Sequence, residues 1–229
     1  MKTVIITGAS GNLGQAVIKK FLKQGFNVVG TVLSADTGKI DYPRERLEMV
    51  AIDLTSEDDA QQFVDSVIGK HGNIDVAVLT VGGFAKGKIA DTKASDISKQ
   101  YKLNFEATYN IVRPIFVQMM LQGHGRIFIT GSKPGLDAKN SKGMVAYGLS
   151  KSLLFRLAEL MNDEAKSTDV VTSVIVPSTI DTPQNRASMP DGKFETWVKP
   201  EQIAEVIWFY SDSPASIIRE PVIKVYNKA

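Results

Sequence analysis

Seven short runs of apolar, largely β-branched residues recur along this 229-residue chain, with helix-length segments between most of them. They read "TVIIT" (3–7), "NVVGTVL" (27–33), "LEMVAI" (47–52), "DVAVLT" (75–80), "RIFITG" (126–131), "VVTSVIV" (170–176) and "PVIKVY" (221–226). Most lack the polar alternation of a half-exposed strand, as strands buried on both faces should. The intervening "GQAVIKKFLKQ", "SEDDAQQFVDSVIGK" and "EQIAEVIWFY" instead space their apolar residues by three and four. Parallel neighbours need crossovers of a dozen or more residues, so the alternation predicts a doubly wound α/β sheet of the Rossmann type. About seven mostly parallel strands flanked by helices are expected, and the segment Ser95–Gln122 is expected to be one long helix, kinked or ended at Pro114.

No repeat, low-complexity tract or Pro/Gly/Ser linker divides the chain, and its length suits one substantial core, so residues 1–229 read as a single domain. With 27 basic and 25 acidic side chains, dispersed rather than blocked, nothing points to nucleic acid as a partner. No apolar stretch reaches a membrane span, and the chain has no cysteine, which excludes disulfides, thiolate metal sites and a cysteine nucleophile. A cytoplasmic protein is expected. His71 and His124 stand beside glycines without a second ligand at metal spacing, so both read as solvated turn histidines and no metal site is expected.

"TGASGNLG" (7–14) follows the first strand and precedes a helical pattern. There Gly8 suits the tight turn, Gly11 lets backbone approach a pyrophosphate and Gly14 lets the helix pack closely. Ser10, Asn12 and Leu13 complete the turn, and the helix start offers free N–H groups to phosphate. In such a fold an acid at the end of the second strand holds the ribose hydroxyls of NAD. Here that region is Val32, Leu33 and Ser34, with Asp36 a little beyond. NAD and NADP both stay open, with a lean to NADP because the acid that repels a 2′-phosphate is missing. Asp53 reads equally as a contact to the adenine edge and as a turn carboxylate.

Tyr147 and Lys151 in "YGLSK" lie one helical turn apart, on one face. A phenol titrates near 10, and a fixed ammonium one turn away favours its phenolate. Ser132, just past the fifth strand in "ITGS", falls where strand ends converge on ligands, and its hydroxyl could donate to a carbonyl oxygen.

In this order "TGASGNLG", Asp53, "GNIDVAVLTVGG", "LNFEA", "ITGS", "YGLSK" and "VPSTIDTP" resemble a short-chain dehydrogenase/reductase over nearly the whole chain. The resemblance implies Tyr147 as acid/base, Lys151 on the nicotinamide ribose, Ser132 as substrate orienter and Asn104 on a proton-relay water. It places Asp53, Leu54, Val81, Gly82, Pro177 and Thr182 against the cofactor, NAD or NADP. It also implies hydride transfer to or from a small carbonyl or alcohol substrate, by a homodimer or homotetramer. Two departures are visible: Leu79–Thr80–Val81–Gly82 stands for the family's Asn-Asn-Ala-Gly, and the glycines run 8, 11, 14 instead of 8, 12, 14. "TVGGFAKG" and "DTPQNRASMPDGKFETW" further resemble dihydropteridine reductase, which makes pterin reduction an alternative. A lid is expected near 178–199, around Arg186, Met189, Phe194 and Trp197, with a surface loop pinned by aromatics as the other reading. The alternative outside enzymes is a dinucleotide-binding regulator, which has no need of all four of Ser132, Tyr147, Lys151 and Asn104.

Overall fold

The computed structural model describes residues 1–33, 44–212 and 215–228. The seven apolar runs become β1 (Thr3–Thr7), β2 (Asn27–Val32), β3 (Leu47–Ala51), β4 (Val76–Leu79), β5 (His124–Thr130), β6 (Asp169–Pro177) and β7 (Val222–Val225). They form one sheet in the order β3-β2-β1-β4-β5-β6-β7, and every pair is parallel, Val4 opposing both Val28 and Val76.

Both faces of the sheet are covered, which is why the strands carry no polar alternation. Along β1, Val4 and Ile6 point to one core and Ile5 to the other. The first core includes Val17, Ile18 and Phe21 of α1 (Asn12–Lys23) and Ile203 and Ile207 of α8 (Pro200–Ser211). Phe21, Phe26 and Trp208 meet edge to face there, with ring centroids 5.1–5.8 Å apart. The opposite core takes Phe63 and Val64 of α2 (Glu57–His71), Ile111 and Ile115 of α4 (Ala107–Gln122), and Leu154 of α6 (Val145–Glu164).

The segment 95–122 departs from expectation. α3 (Ala94–Tyr101) gives way to a π-helical turn over Lys102–Glu106, after which α4 continues through Pro114 to Gln122. The change of geometry therefore sits at Asn104, not at the proline. His71 also differs: it ends α2, and its side chain, 10% exposed, lies 3.2 Å from Glu48 instead of standing in solvent. His124 opens β5, its Nδ1 3.1 Å from the Gln122 carbonyl. Among the described residues, no helix is long and apolar enough to cross a membrane.

Candidate active site

The chain crosses from β3 at one side of β1 to β4 at the other, so the loops leaving β1 and β4 part company above the sheet and open a crevice at its C-terminal edge. That cleft, about 420 Å³, is lined by Gly8, Ser10, Gly11, Asn12, Leu13 and Gly14 on one side and by Asp53, Leu54, Val81, Gly82 and Thr182 on others. Gly8 turns the chain with φ +64°, where a side chain is strained, and a Cβ there would come 2.7 Å from Thr80 Oγ1. A Cβ at Gly14 would overlap the Gly8 carbonyl oxygen and come 2.9 Å from Ala9 Cα. α1 begins at Asn12 with Gly11 as its N-cap and no side chain capping it, so its first N–H groups face the cleft. An apolar-walled cradle ending in bare helix N–H groups fits a dinucleotide's adenosine and pyrophosphate.

Thr80 was absent from the sequence-derived site. Its Oγ1 donates to the Thr7 carbonyl (2.7 Å) and its N–H to Thr7 Oγ1 (3.1 Å), which stitches the β4 loop to β1. Asp53 accepts from the N–H (2.9 Å) and hydroxyl (2.8 Å) of Thr55, bonds that hold its carboxyl below the usual range. It is thus a turn carboxylate that also lines the cleft. At the end of β2, Val32 is buried and Leu33 exposed on the cleft wall. Ser34 and Asp36 lie outside the described residues.

Tyr147 and Lys151 sit in the first two turns of α6, as their spacing requires. Ser132 caps the short helix α5 (Lys133–Leu136), its Oγ accepting from Gly135 N–H at 3.1 Å. The same hydroxyl lies close enough to the Tyr147 phenol to favour its ionised form. Burial pushes the phenol above its ordinary range and the neighbouring Ser132 hydroxyl pulls it partly back. The depression expected from Lys151 is not what governs Tyr147 in this structure.

Lys151 is buried, donates Nζ to the Thr130 carbonyl (2.8 Å), and is lowered by desolvation to about 8. Its Nζ stands 2.9 Å from where a Gly82 Cβ would be, at the inner end of the cleft. The ammonium carries three protons and shows one acceptor here, so two remain for ligand oxygens.

Asn104, fully buried in the π-helical turn, accepts from Gly83 N–H (2.9 Å) and donates to Gly83 O (3.0 Å), Gln100 Oε1 (2.9 Å) and Ser150 Oγ (3.0 Å). Ser150 in turn donates to the Tyr147 carbonyl (2.9 Å). Asn104 thereby ties the β4 loop to the helix bearing Tyr147, with its amide hydrogens committed to protein. Its main-chain carbonyl takes the Thr108 hydroxyl (2.9 Å). Gln100 and Ser150 escaped the sequence reading, although Ser150 lies within "YGLSK". So did Phe84, whose ring meets Tyr147 edge on at 5.1 Å.

Pro177 closes β6, and Thr182 caps α7 (Pro183–Ser188), its Oγ1 accepting from Asn185 N–H (3.1 Å). Over 178–199, Trp197 is buried against Phe194 (4.8 Å), and Arg186 pairs with Asp181 while lying 4.7 Å over Phe194. Asn12 Nδ2 donates to Gln184 Oε1 (2.9 Å), so this segment touches the glycine turn directly. Met189 remains partly exposed.

A family model described as short chain dehydrogenase matches residues 2–192. The Escherichia coli K12 cyclic-di-GMP-binding biofilm dispersal mediator protein is 28% identical over 225 residues, covering 95% of this chain and 92% of that protein. The 3-oxoacyl-[acyl-carrier-protein] reductase FabG of Thermotoga maritima is 23% identical over 238 residues, covering 98% and 96%. Among solved structures, "ElxO with NADP Bound" superposes with a TM-score of 0.89 at 22% identity, covering 98% of this chain and 96% of that one.

Proposed function

The chain belongs to the short-chain dehydrogenase family as an NAD(P)-dependent oxidoreductase, and on that footing we propose that it interconverts a small carbonyl compound and its alcohol. One observation carries the residue assignment: Tyr147, its phenol beside the Ser132 hydroxyl, stands one helical turn from the buried ammonium of Lys151.

Bound at the cleft, the nicotinamide supplies or accepts the hydride. In the reductive direction Ser132 donates a hydrogen bond to the substrate's carbonyl oxygen. Tyr147 gives that oxygen its proton as the carbon gains hydride, so the alcohol forms with no charge left on it. The spare protons of Lys151 hold ribose hydroxyls, and its charge steadies the phenolate left behind. Asn104, through Gly83 and Ser150, fixes the distance between cofactor loop and proton donor. Gly8, Ser10, Gly11, Asn12, Leu13 and Gly14 hold the pyrophosphate, Asp53, Leu54 and Val81 the adenosine, and Gly82, Pro177 and Thr182 the nicotinamide end. Residues 178–199 serve as the lid.

Tyr147→Phe removes the proton without removing the ring. Turnover is expected to fall by three or more orders of magnitude, while cofactor affinity, followed by tryptophan fluorescence, changes little; substantial activity in this variant would sink the assignment. Because burial holds the phenol protonated, reduction is expected to be flat through neutral pH and to decline in the alkaline range. Oxidation, which needs phenolate, should rise with pH.

NADP is the favoured cofactor. Val32 and Leu33 present no carboxylate to a 2′-phosphate, and a structurally similar protein carries NADP. Leu33→Asp is expected to raise the KM for NADPH and lower that for NADH; an unchanged ratio would place discrimination elsewhere. The name of the E. coli relative prompts a second reading, a nucleotide-binding regulator without turnover. Wild-type turnover of any substrate in a carbonyl screen, with quinonoid dihydropterin included, excludes it. A cytoplasmic homodimer or homotetramer is the assembly this reading favours.

A further inference from the structure

The loops that leave β4 and β5 on either side of Tyr147 are rich in lysine. Lys86, Lys88 and Lys93 lie on one, Lys139 and Lys142 on the other, and all five are exposed. None forms an ion pair among the described residues. Three acids share these loops and α3: Asp91 is exposed, Asp96 accepts from Lys93 N–H and Asp137 from Lys139 N–H. The whole chain has a net charge of only +2, so a local excess of cations here is out of proportion.

The arrangement is also fixed. Gly87 N–H donates to Gly143 O (2.8 Å) and Val145 N–H to Gly87 O (3.1 Å), which zips the two loops together. Lys88 and Lys142 therefore stand on the rim of one cleft of about 590 Å³, whose walls include Ile89, Pro134 and Leu149. From α6 that cleft takes Val145, Gly148, Leu149 and Ser152, the face turned away from Tyr147, whereas the pairing of Gly87 with Gly143 and Val145 sets both lysine-bearing loops beside the helical turn that carries Tyr147. Closer to the phenol the surroundings are apolar, with the Phe84 ring 58% exposed beside Tyr147.

Together with the hydride-transfer reading of Tyr147 and Ser132, on which this rests, we propose that the substrate is an amphipathic oxyanion. Its carbonyl lies in an apolar body against Phe84, and a carboxylate or phosphate several bonds away is held by Lys86, Lys88 and Lys142. A field of one sign at the mouth of a low-dielectric cleft raises the encounter rate of an opposite charge, and salt screens it over roughly 8–10 Å at physiological strength.

The test compares para-acetylbenzoate, para-acetylphenyl phosphate and the neutral para-acetylbenzamide. Turnover with NADPH is measured, and binding to the NADP-saturated protein by calorimetry, at low salt and at about 0.5 M salt. The two anions are expected to exceed the amide by about tenfold or more at low salt, with the margin shrinking in salt and falling toward one in K86E/K88E/K142E. Equal handling of anion and amide, a margin that survives the triple variant, or binding of none of the three would overturn the proposal. An anion preference in binding without turnover of any probe would instead refute hydride transfer to such ketones and leave the anion site standing.

Discussion

Lys151 is a charge taken out of water, and its cost is visible in its pKa. Below about 8 it is protonated in folded and unfolded chains alike, and the penalty is fully present. Between about 8 and the ordinary 10.5 of a lysine, the folded chain binds fewer protons than the unfolded one, so stability climbs with pH as the penalty fades. Lys151→Met, which also gives up the bond to Thr130, is therefore expected to gain on the order of 1–2 kcal/mol at pH 7 in urea unfolding, with no gain left by pH 10.5. Gly8→Ala should behave oppositely: φ +64° and the approach to Thr80 Oγ1 predict a loss of about 1–3 kcal/mol, with weakened cofactor binding. At this scale the sequence was readable where one local pattern set the geometry, as in the glycine turn and the Tyr147–Lys151 spacing. It was silent on what Thr80 and Gln100 bond to, because a threonine after a strand or a glutamine in a helix acquires its partners only from the fold.

Strands were legible because burial on both faces writes itself as unbroken apolar runs, and α2 because Ser56, accepting from Asp59 N–H, precedes the acidic Glu57, Asp58 and Asp59. The segment from α3 to α4 was not legible. Its residues keep a helical period throughout, and the extra residue of the π-helical turn answers to Asn104, whose partners Gly83 and Ser150 lie 21 and 46 positions away. Proline suggested a break because it removes a local donor, yet the helix runs through it. Asn104→Ala leaves Gly83 N–H and its neighbours without their partner, and is expected to cost about 2–4 kcal/mol in thermal or urea unfolding. Cofactor affinity and turnover should fall with it, since the same bonds set the β4 loop against α6.

The outer surfaces of α4 and α6 are apolar in stripes, Tyr109, Val117 and Leu121 on one and Leu149, Leu153 and Leu160 on the other, all well exposed. Analytical ultracentrifugation of the wild-type chain is expected to show a homodimer or homotetramer, and V117E/L121E a smaller species; a monomeric wild type would remove the reading. The doubly wound architecture was legible as a whole, whereas this surface was not, since exposure cannot be read from an apolar residue's identity. The sheet's order bears also on how the protein comes into being. β1, made before the other six strands described, ends in its interior, but the neighbour on one side is β4: Thr3 N–H meets the Asp75 carboxylate across 72 positions, at 2.7 Å. During vectorial synthesis β2 and β3 can join β1 early, while its other edge stays raw until β4 emerges and closes the seam above which the cleft opens. A ribosome stalled before that point would hold a half-sheet with an open, apolar edge, the form in which this chain is most exposed to pairing with the wrong partner.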